Sequence, residues 1–349
     1  SSPIRVDSAR LNRVLPDRPA IRIVSQRSEE ARHGDDGVWV SALGDLMLTG
    51  EWRDTLQAAT PGSPIEDLVA LYRGDGLVFA NLEVTHEGSE GTIAKQPRLV
   101  TDGRTLSSYL DAMQPDLLNL SNNHAFDAKV SGFHATREML EDRGVLHLGA
   151  GDTLAEAARP LKLEVQGITF AWLAYTDHST RPSHVATLQD PGVNPVALDT
   201  ARTAISRLAE QVDHVIVSLH WGIEYCHLPA PDQIVAARGL IDAGATLVIG
   251  HHAHVIQGVE SHGSGAIAYN LGNAMATDLN IKGRLALRQT DRTRSSFLLR
   301  ARFTKERLDR LELLPFMARA SGVSVADPTA RRILSKANRQ LARGVSGGR

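Results

Sequence analysis

Five apolar runs in this chain end in residues that can hold cations or move protons. Val38 to Leu43 leads into Gly44-Asp45, Leu77 to Ala80 into Asn81-Leu82-Glu83, and Leu117 to Leu120 into Ser121-Asn122-Asn123-His124. Farther on, His214 to Leu219 leads into His220, and Thr246 to Ile249 leads into Gly250-His251-His252-Ala253-His254. Carboxylate, amide oxygen and imidazole together, without thiolate, suit Mn, Fe, Zn or a similar divalent ion. A carboxylate shared by two such cations about 3.5 to 4 Å apart lets the pair acidify a water and clamp an oxyanion, so the expected reaction is hydrolysis.

Each cluster alone also has an ordinary structural reading. Asp45 can close a turn with an Asx hydrogen bond, and Asn81 and Glu83 can be a strand-end turn and a solvated charge. Asn122 or Asn123 can cap a helix, and His220 can be a satisfied core histidine. The paired histidines after Ile249 have fewer such uses. Five clusters in succession favour one shared site.

The elements that must bring them together follow from periodicity. The apolar runs above, with Ile168 to Ala174 and Ala266 to Tyr269, read as strands, and helical spacing lies between them near 64–73, 104–113, 131–143, 198–211 and 230–243. That alternation predicts an α/β fold, in which the C-terminal ends of strands open onto the binding crevice. Ser296 to Phe303 and Leu308 to Leu314 read as a closing hairpin. We expect an N-terminal arm at 1–36, a main domain at 37–316, and a C-terminal helix with a basic tail at 317–349. The segment from Pro328 onward carries six Arg or Lys and no acid, which reads as a solvated helix or as an arm for polyanions.

A net charge of -2 gives no field for nucleic acid or an anionic membrane surface, so an anionic substrate, small or polymeric, must be met locally. Cys226 is the single cysteine, which excludes an intrachain disulfide and a cysteine metal cluster. No run approaches the roughly 20 apolar residues of a membrane span, so the chain is expected to be soluble. It begins at Ser1, and a leader or anchor, the compartment and the oligomeric state stay open.

The motifs resemble the CapA family of capsule-synthesis proteins linked to poly-γ-glutamate. The resemblance rests on Gly44-Asp45-Leu46-Met47-Leu48, Asn81-Leu82-Glu83, Leu120 to His124 with Asp127, and Gly149-Ala150-Gly151. It continues through Ser218 to Tyr225, Ile249 to Val255 and Tyr269 to Asn273, in the family's order. It implies a calcineurin-like metallophosphoesterase fold, with two packed mixed β-sheets flanked by helices and a two-metal centre at one sheet edge. By motif, Asp45 resembles a first-metal ligand, Glu83 the bridge with Asn81 beside it as a further metal ligand, Asn123 and His220 second-metal ligands, and His252 and His254 a pair divided between the ions. His251 is expected behind them. Met47 stands where many relatives have a histidine, so one ion is expected to have fewer protein ligands.

The resemblance also implies that His124, oriented by Asp127, is a catalytic acid. Lys95 and Arg98, in the loop after Glu83, are expected to capture an anionic substrate. Asp177 and His178 are a further candidate pair, His227 is expected to be loop structure, and Trp221 is expected to pack behind His220. The leading function is a metal-dependent hydrolase using metal-activated water on a phosphoester or related bond. The alternatives are amide or γ-glutamyl bond processing and a non-catalytic polymer-binding or assembly subunit.

Overall fold

The structure, a computed structural model, describes residues 18–27, 37–49, 52, 65–276, 278–281, 284–319 and 321–346. Most of the expected N-terminal arm and the last three residues of the tail lie outside these.

Two mixed sheets pack face to face, with helices on both outer faces, as the sequence predicts. The larger runs in the order Ala20–Ile23, Leu308–Arg319, Ser295–Phe303, Val38–Leu46, Leu77–Leu82, Leu117–Asn119 and Leu146–Leu148. Short strands at Asn273–Met275 and Gly322–Val325 pair beside this path. The second runs Val259–His262, Gly265–Ala268, Leu247–His251, His214–His220, Ile168–Thr176 and Leu161–Val165.

Period-two alternation sorts the side chains. Val38, Val40 and Ala42 meet Phe170, Trp172, Ile216 and Ile249 between the sheets, with Phe297 and Leu299 from the hairpin. Leu43, Leu82 and Leu118 face the helices Gly103–Met113 and Lys129–Asp142. Val215, Val217 and Leu219 face the helices Leu198–Ala209 and Pro231–Asp242. The hairpin is antiparallel, with Leu299 opposite Leu313.

Ala20–Ile23 is a strand paired in parallel with Leu308–Arg319, Ile21 opposite Leu311, which accounts for the alternation at Ile21 and Ile23. The C-terminal helix spans Pro328–Ser346 and buries Leu334, Ala337 and Leu341. Among the described residues no helix is long and apolar enough to cross a membrane.

Val38–Leu46, Leu77–Leu82 and Leu117–Asn119 run parallel, and so do His214–His220 and Leu247–His251. All five clusters therefore reach one end of the molecule, where the two sheets meet. The segment Tyr269–Gly272 crosses from the second sheet to the first, and two glycines let it lie close against both. A Cβ at Gly44 would lie 1.9 Å from the Gly272 carbonyl oxygen, and one at Gly250 would lie 1.8 Å from that of Tyr269. Only glycine admits such close backbone approach.

Candidate metal centre

Asp45 comes from within a strand of the first sheet, and Glu83 and Asn123 from the residues after its neighbours. His220 ends a strand of the second sheet, and His252 and His254 follow the strand that ends at His251. All six are buried. Asp45, Glu83 and His220 each place a ligand atom within 4.8 Å of the others, and Glu83, His252 and His254 do the same. Glu83 belongs to both sets.

The surroundings of Glu83 test whether cations fit. Its Oε1 faces the Nε2 atoms of His220 at 3.5 Å, His254 at 3.7 Å and His124 at 4.0 Å. None is close enough to hydrogen-bond, and neither Glu83 oxygen has a partner among the described residues. A buried carboxylate so placed is costly unless something compensates it. Cations shared with the imidazoles would satisfy both oxygens, and the N and O donors are those of Mn, Fe or Zn sites.

Around these groups lies a layer of amides. Asn81 donates from Nδ2 to Asp45 Oδ1 at 2.7 Å, while its Oδ1 accepts from Asn119 at 2.9 Å and Asn122 at 3.3 Å. Asn81, expected as a ligand, here has its oxygen engaged by two amides and holds Asp45 in place. His252 N–H donates to Asp45 Oδ2 at 3.1 Å. His254 Nδ1 lies 2.9 Å from Asn273 Oδ1, and Asn123 Oδ1 lies 2.9 Å from His220 Nε2. Asn119, Asn122 and Asn273 were not singled out as site residues from sequence, although Asn122 and Asn273 stand in the motifs that carry the resemblance. His251 sits behind the site, as expected, 3.3 Å from Asp45 Oδ1 and against Phe79.

His252 and His254 have φ of 91° and 56°. Left-handed backbone is costly for residues with a Cβ and persists where the surroundings enforce it, typically at functional sites.

Electrostatics divides the site. Burial opposes ionisation of Asp45, yet the imidazoles of His251 and His254 hold its carboxyl well below the usual range. Burial pushes Glu83 well above it. Burial, reinforced by neighbouring imidazoles, keeps His220 well below its ordinary value and His252 at about 3, so both are neutral as ligands must be. Burial also opposes charge on His254, but Glu83 and then Asp45 raise it to about 10.

His124 Nδ1 bonds Asp127 Oδ2 at 2.6 Å, leaving Nε2 aimed at the centre. Burial outweighs Asp127 and lowers the imidazole pKa. Asp127 is itself fixed by the Leu99 N–H at 2.7 Å. Lys95 Nζ reaches the rim, donating to the Asn123 carbonyl at 2.7 Å and lying 4.0 Å from Asp127 Oδ1. Arg98 does not lie beside it. Its guanidinium turns back on its own loop, to Thr92 Oγ1 at 2.6 Å and the Ile93 carbonyl at 3.2 Å. Asp177 caps a short turn through the Ser179 N–H, and His178 is exposed. Trp221 is buried in the outer core of the second sheet. Met47 is a core residue whose N–H donates to the Met275 carbonyl.

Comparison with known proteins decides the lineage. A family model described as bacterial capsule synthesis protein PGA_cap matches residues 39–278. The chain belongs to this capsule-synthesis family, the CapA family. It is 29% identical over 286 residues to the PGA biosynthesis protein CapA of Bacillus subtilis, covering 81% of this chain and 72% of that one. It is 33% identical over 161 residues to the capsule biosynthesis protein CapA of Bacillus anthracis, covering 45% and 39%. A Staphylococcus aureus structure assigned as a 5′-nucleotidase superposes with a TM-score of 0.50 at 12% identity, over 86% of this chain and 58% of that one. The chain thus spans under two-thirds of that structure. The shared fold is the calcineurin-like metallophosphoesterase fold, and all the motifs that carried the resemblance in this CapA chain lie within the matched region.

Proposed function

We propose that this CapA-family chain is a metal-dependent hydrolase acting on a phosphoester or related bond, with residues 37–316 as its catalytic domain. Glu83 carries the reading: a fully buried carboxylate whose oxygens have no hydrogen-bond partner among the described residues and which belongs to both candidate sets. Asp45, Glu83, Asn123, His220, His252 and His254 would hold two divalent cations, Glu83 between them. When bound, the cations would supply the Lewis acidity that activates water and neutralises a substrate oxyanion.

The chain's own residues do the rest. Asn81 and the His252 N–H fix the Asp45 carboxylate. Asp127, bonded to Nδ1, directs the His124 ring, so that in its protonated form Nε2 can hand a proton to the leaving oxygen. Burial makes that proton easily released. Lys95, anchored on the Asn123 carbonyl, meets substrate negative charge at the rim.

A second reading, attack on an amide or γ-glutamyl bond, is favoured by the capsule and PGA biosynthesis named in the relatives. Purified protein, analysed for metal, is to be assayed on aryl phosphates, cyclic nucleotides and γ-glutamyl peptides. We expect one to two equivalents of divalent metal, and joint loss of metal and turnover in Asp45→Ala and His254→Ala. Full activity after exhaustive chelation would falsify the metal-hydrolase reading, and metal without turnover on any of these would leave a binding or assembly subunit.

A further inference from the structure

The loop after the strand His214–His220 is stapled at two points to the segment that carries His252 and His254. The Trp221 N–H donates to the His251 carbonyl at 3.2 Å, and the Tyr225 N–H to the Ala253 carbonyl at 2.8 Å. Within the loop, the Cys226 N–H bonds the Ile223 carbonyl at 3.3 Å, which closes a turn with Tyr225 in its third position. There φ is 63°. A third turn residue with positive φ is cheap for glycine or asparagine, whereas a side chain with a Cβ and a ring is held there at a cost. His252 and His254 share that left-handed backbone, and their place in the metal centre accounts for it. Tyr225 supplies neither carboxylate nor imidazole, so its strain has another use.

The turn brings an aromatic ring to the edge of the centre, its centroid 6.0 Å from that of His254. Burial, followed by the charges of Glu224 and Glu83, pushes the phenol up to about 12, so the hydroxyl feels the Glu83 carboxylate and keeps its proton. Among the described residues that hydroxyl has no hydrogen-bond partner, and Tyr225 stays 39% exposed. A donor is therefore free to meet what enters from solvent. The other groups at the rim are differently placed. Lys95 and His124 come from the loops of the first sheet, where Lys95 is anchored on the Asn123 carbonyl and His124 on Asp127. Tyr225 comes from the second sheet, and it is neutral.

We propose that Tyr225 is a catalytic residue whose hydroxyl donates a hydrogen bond to the non-bridging oxygen on which negative charge grows as water adds to the substrate. No bond of the tyrosine forms or breaks, and it moves no proton. A cation on a flexible stem, such as Lys95, favours substrate charge before and during the reaction alike, and so acts mainly on KM. A neutral donor held by a stapled turn can match the oxygen where it stands in the transition state, and so acts on kcat. The backbone strain at Tyr225 is then the cost of aiming that donor in advance.

The inference rests on the hydrolase reading, and its test keeps the two apart. The full chain loaded with manganese, as parent and as Tyr225→Phe, is to be titrated by calorimetry with vanadate, which adopts the five-coordinate shape of the transition state, and with orthophosphate. Metal content, thermal melting and steady-state kinetics are measured on the same samples. Tyr225→Phe keeps the ring beside His254 and removes only the hydroxyl, so metal content and melting should match the parent. Vanadate affinity should fall about tenfold and orthophosphate affinity much less. Turnover should fall about 10²-fold in kcat with KM nearly unchanged. Tyr225→Leu, which also removes the ring, should lose no more turnover than Tyr225→Phe. Parent-like vanadate affinity in Tyr225→Phe with loss only in Tyr225→Leu would make the residue a packing group and overturn the proposal. Equal weakening of vanadate and orthophosphate, or loss of metal in Tyr225→Phe, would overturn it too. A parent that binds vanadate yet hydrolyses none of the assayed substrates counts against the hydrolase reading, and the vanadate comparison still decides Tyr225.

Discussion

The two ends of the strand Leu77–Leu82 carry buried acids in contrasting surroundings. Before it, Asp75 accepts from Arg300 Nη2 at 2.6 Å and Nε at 2.8 Å, and from the Ser41 hydroxyl. Arg300 also donates to Glu312 at 2.8 Å and stacks on Trp39 at 4.1 Å. After the strand, Glu83 is buried and has no hydrogen-bond partner among the described residues. One end is a closed circuit of charge. The other leaves both carboxylate oxygens unmet by the side chains described around it. Burial alone therefore does not tell these two acids apart, whereas their hydrogen bonding does.

The contrast can be attacked from either end. His124→Asn should keep fold and metal content yet lower turnover by about 10²- to 10⁴-fold on substrates with poor leaving groups. The loss should be least on activated aryl esters, which need no proton. Metal loss with unchanged leaving-group dependence would make His124 structural.

At the closed end, Arg300→Met takes the guanidinium away from Asp75 and Glu312, and should cost about 3–5 kcal/mol in urea unfolding. Metal stoichiometry of the folded fraction should not change. A loss under about 1 kcal/mol would mean the cluster is not the structural counterpart described here.

Protons compete with cations at the open end. Burial raises Glu83, and the neighbouring carboxylates raise His254 to about 10. Native protein then binds more protons than unfolded protein between the ordinary histidine range and pH 10. After chelation, stability should therefore fall as pH rises through that window, being fully present below it. Metal affinity should rise over the same range, by up to about tenfold per pH unit for each proton displaced. A pH-independent affinity between 6 and 9 would show that no proton is displaced.

The smallest effect is the most discriminating. In EDTA, Glu83→Gln should be as stable as the parent or stabler by about 1 kcal/mol, since it removes an uncompensated buried acid. With metal present it should lose more metal than Asn81→Ala, because a neutral amide cannot neutralise two cations. Equal metal content in both variants would remove Glu83 from the bridging role.

Much of this was legible in the sequence, for identifiable reasons. Strands buried on both faces are written as continuous apolar runs, and the polar residues ending them stand out, so Asp45, Glu83, Asn123, His220, His252 and His254 could be named in advance. Leu161–Val165 escaped because only Leu161, Leu163 and Val165 are apolar and the strand is a short edge. Asn119 escaped because an asparagine inside an apolar run has no signature of the amide it will hold. Arg98 and Lys95 share one loop and one charge, and spacing in a loop does not tell which turns toward the site. That Asn81 bonds Asp45 was not legible, since which way an amide faces is set by neighbours from other segments.

The glycines at 44 and 250 give the centre a mechanical property. With the carbonyls of Gly272 and Tyr269 lying where a methyl group would stand, the segment that crosses between the sheets is held against a strand of each and has no slack. The spacing of the side chains at this end is then a gauge cut into the backbone, and small substitutions cannot widen it by degrees. Variation that alters what the protein accepts is free to act in the loop around Lys95, which touches neither glycine and can be rebuilt without resetting the gauge.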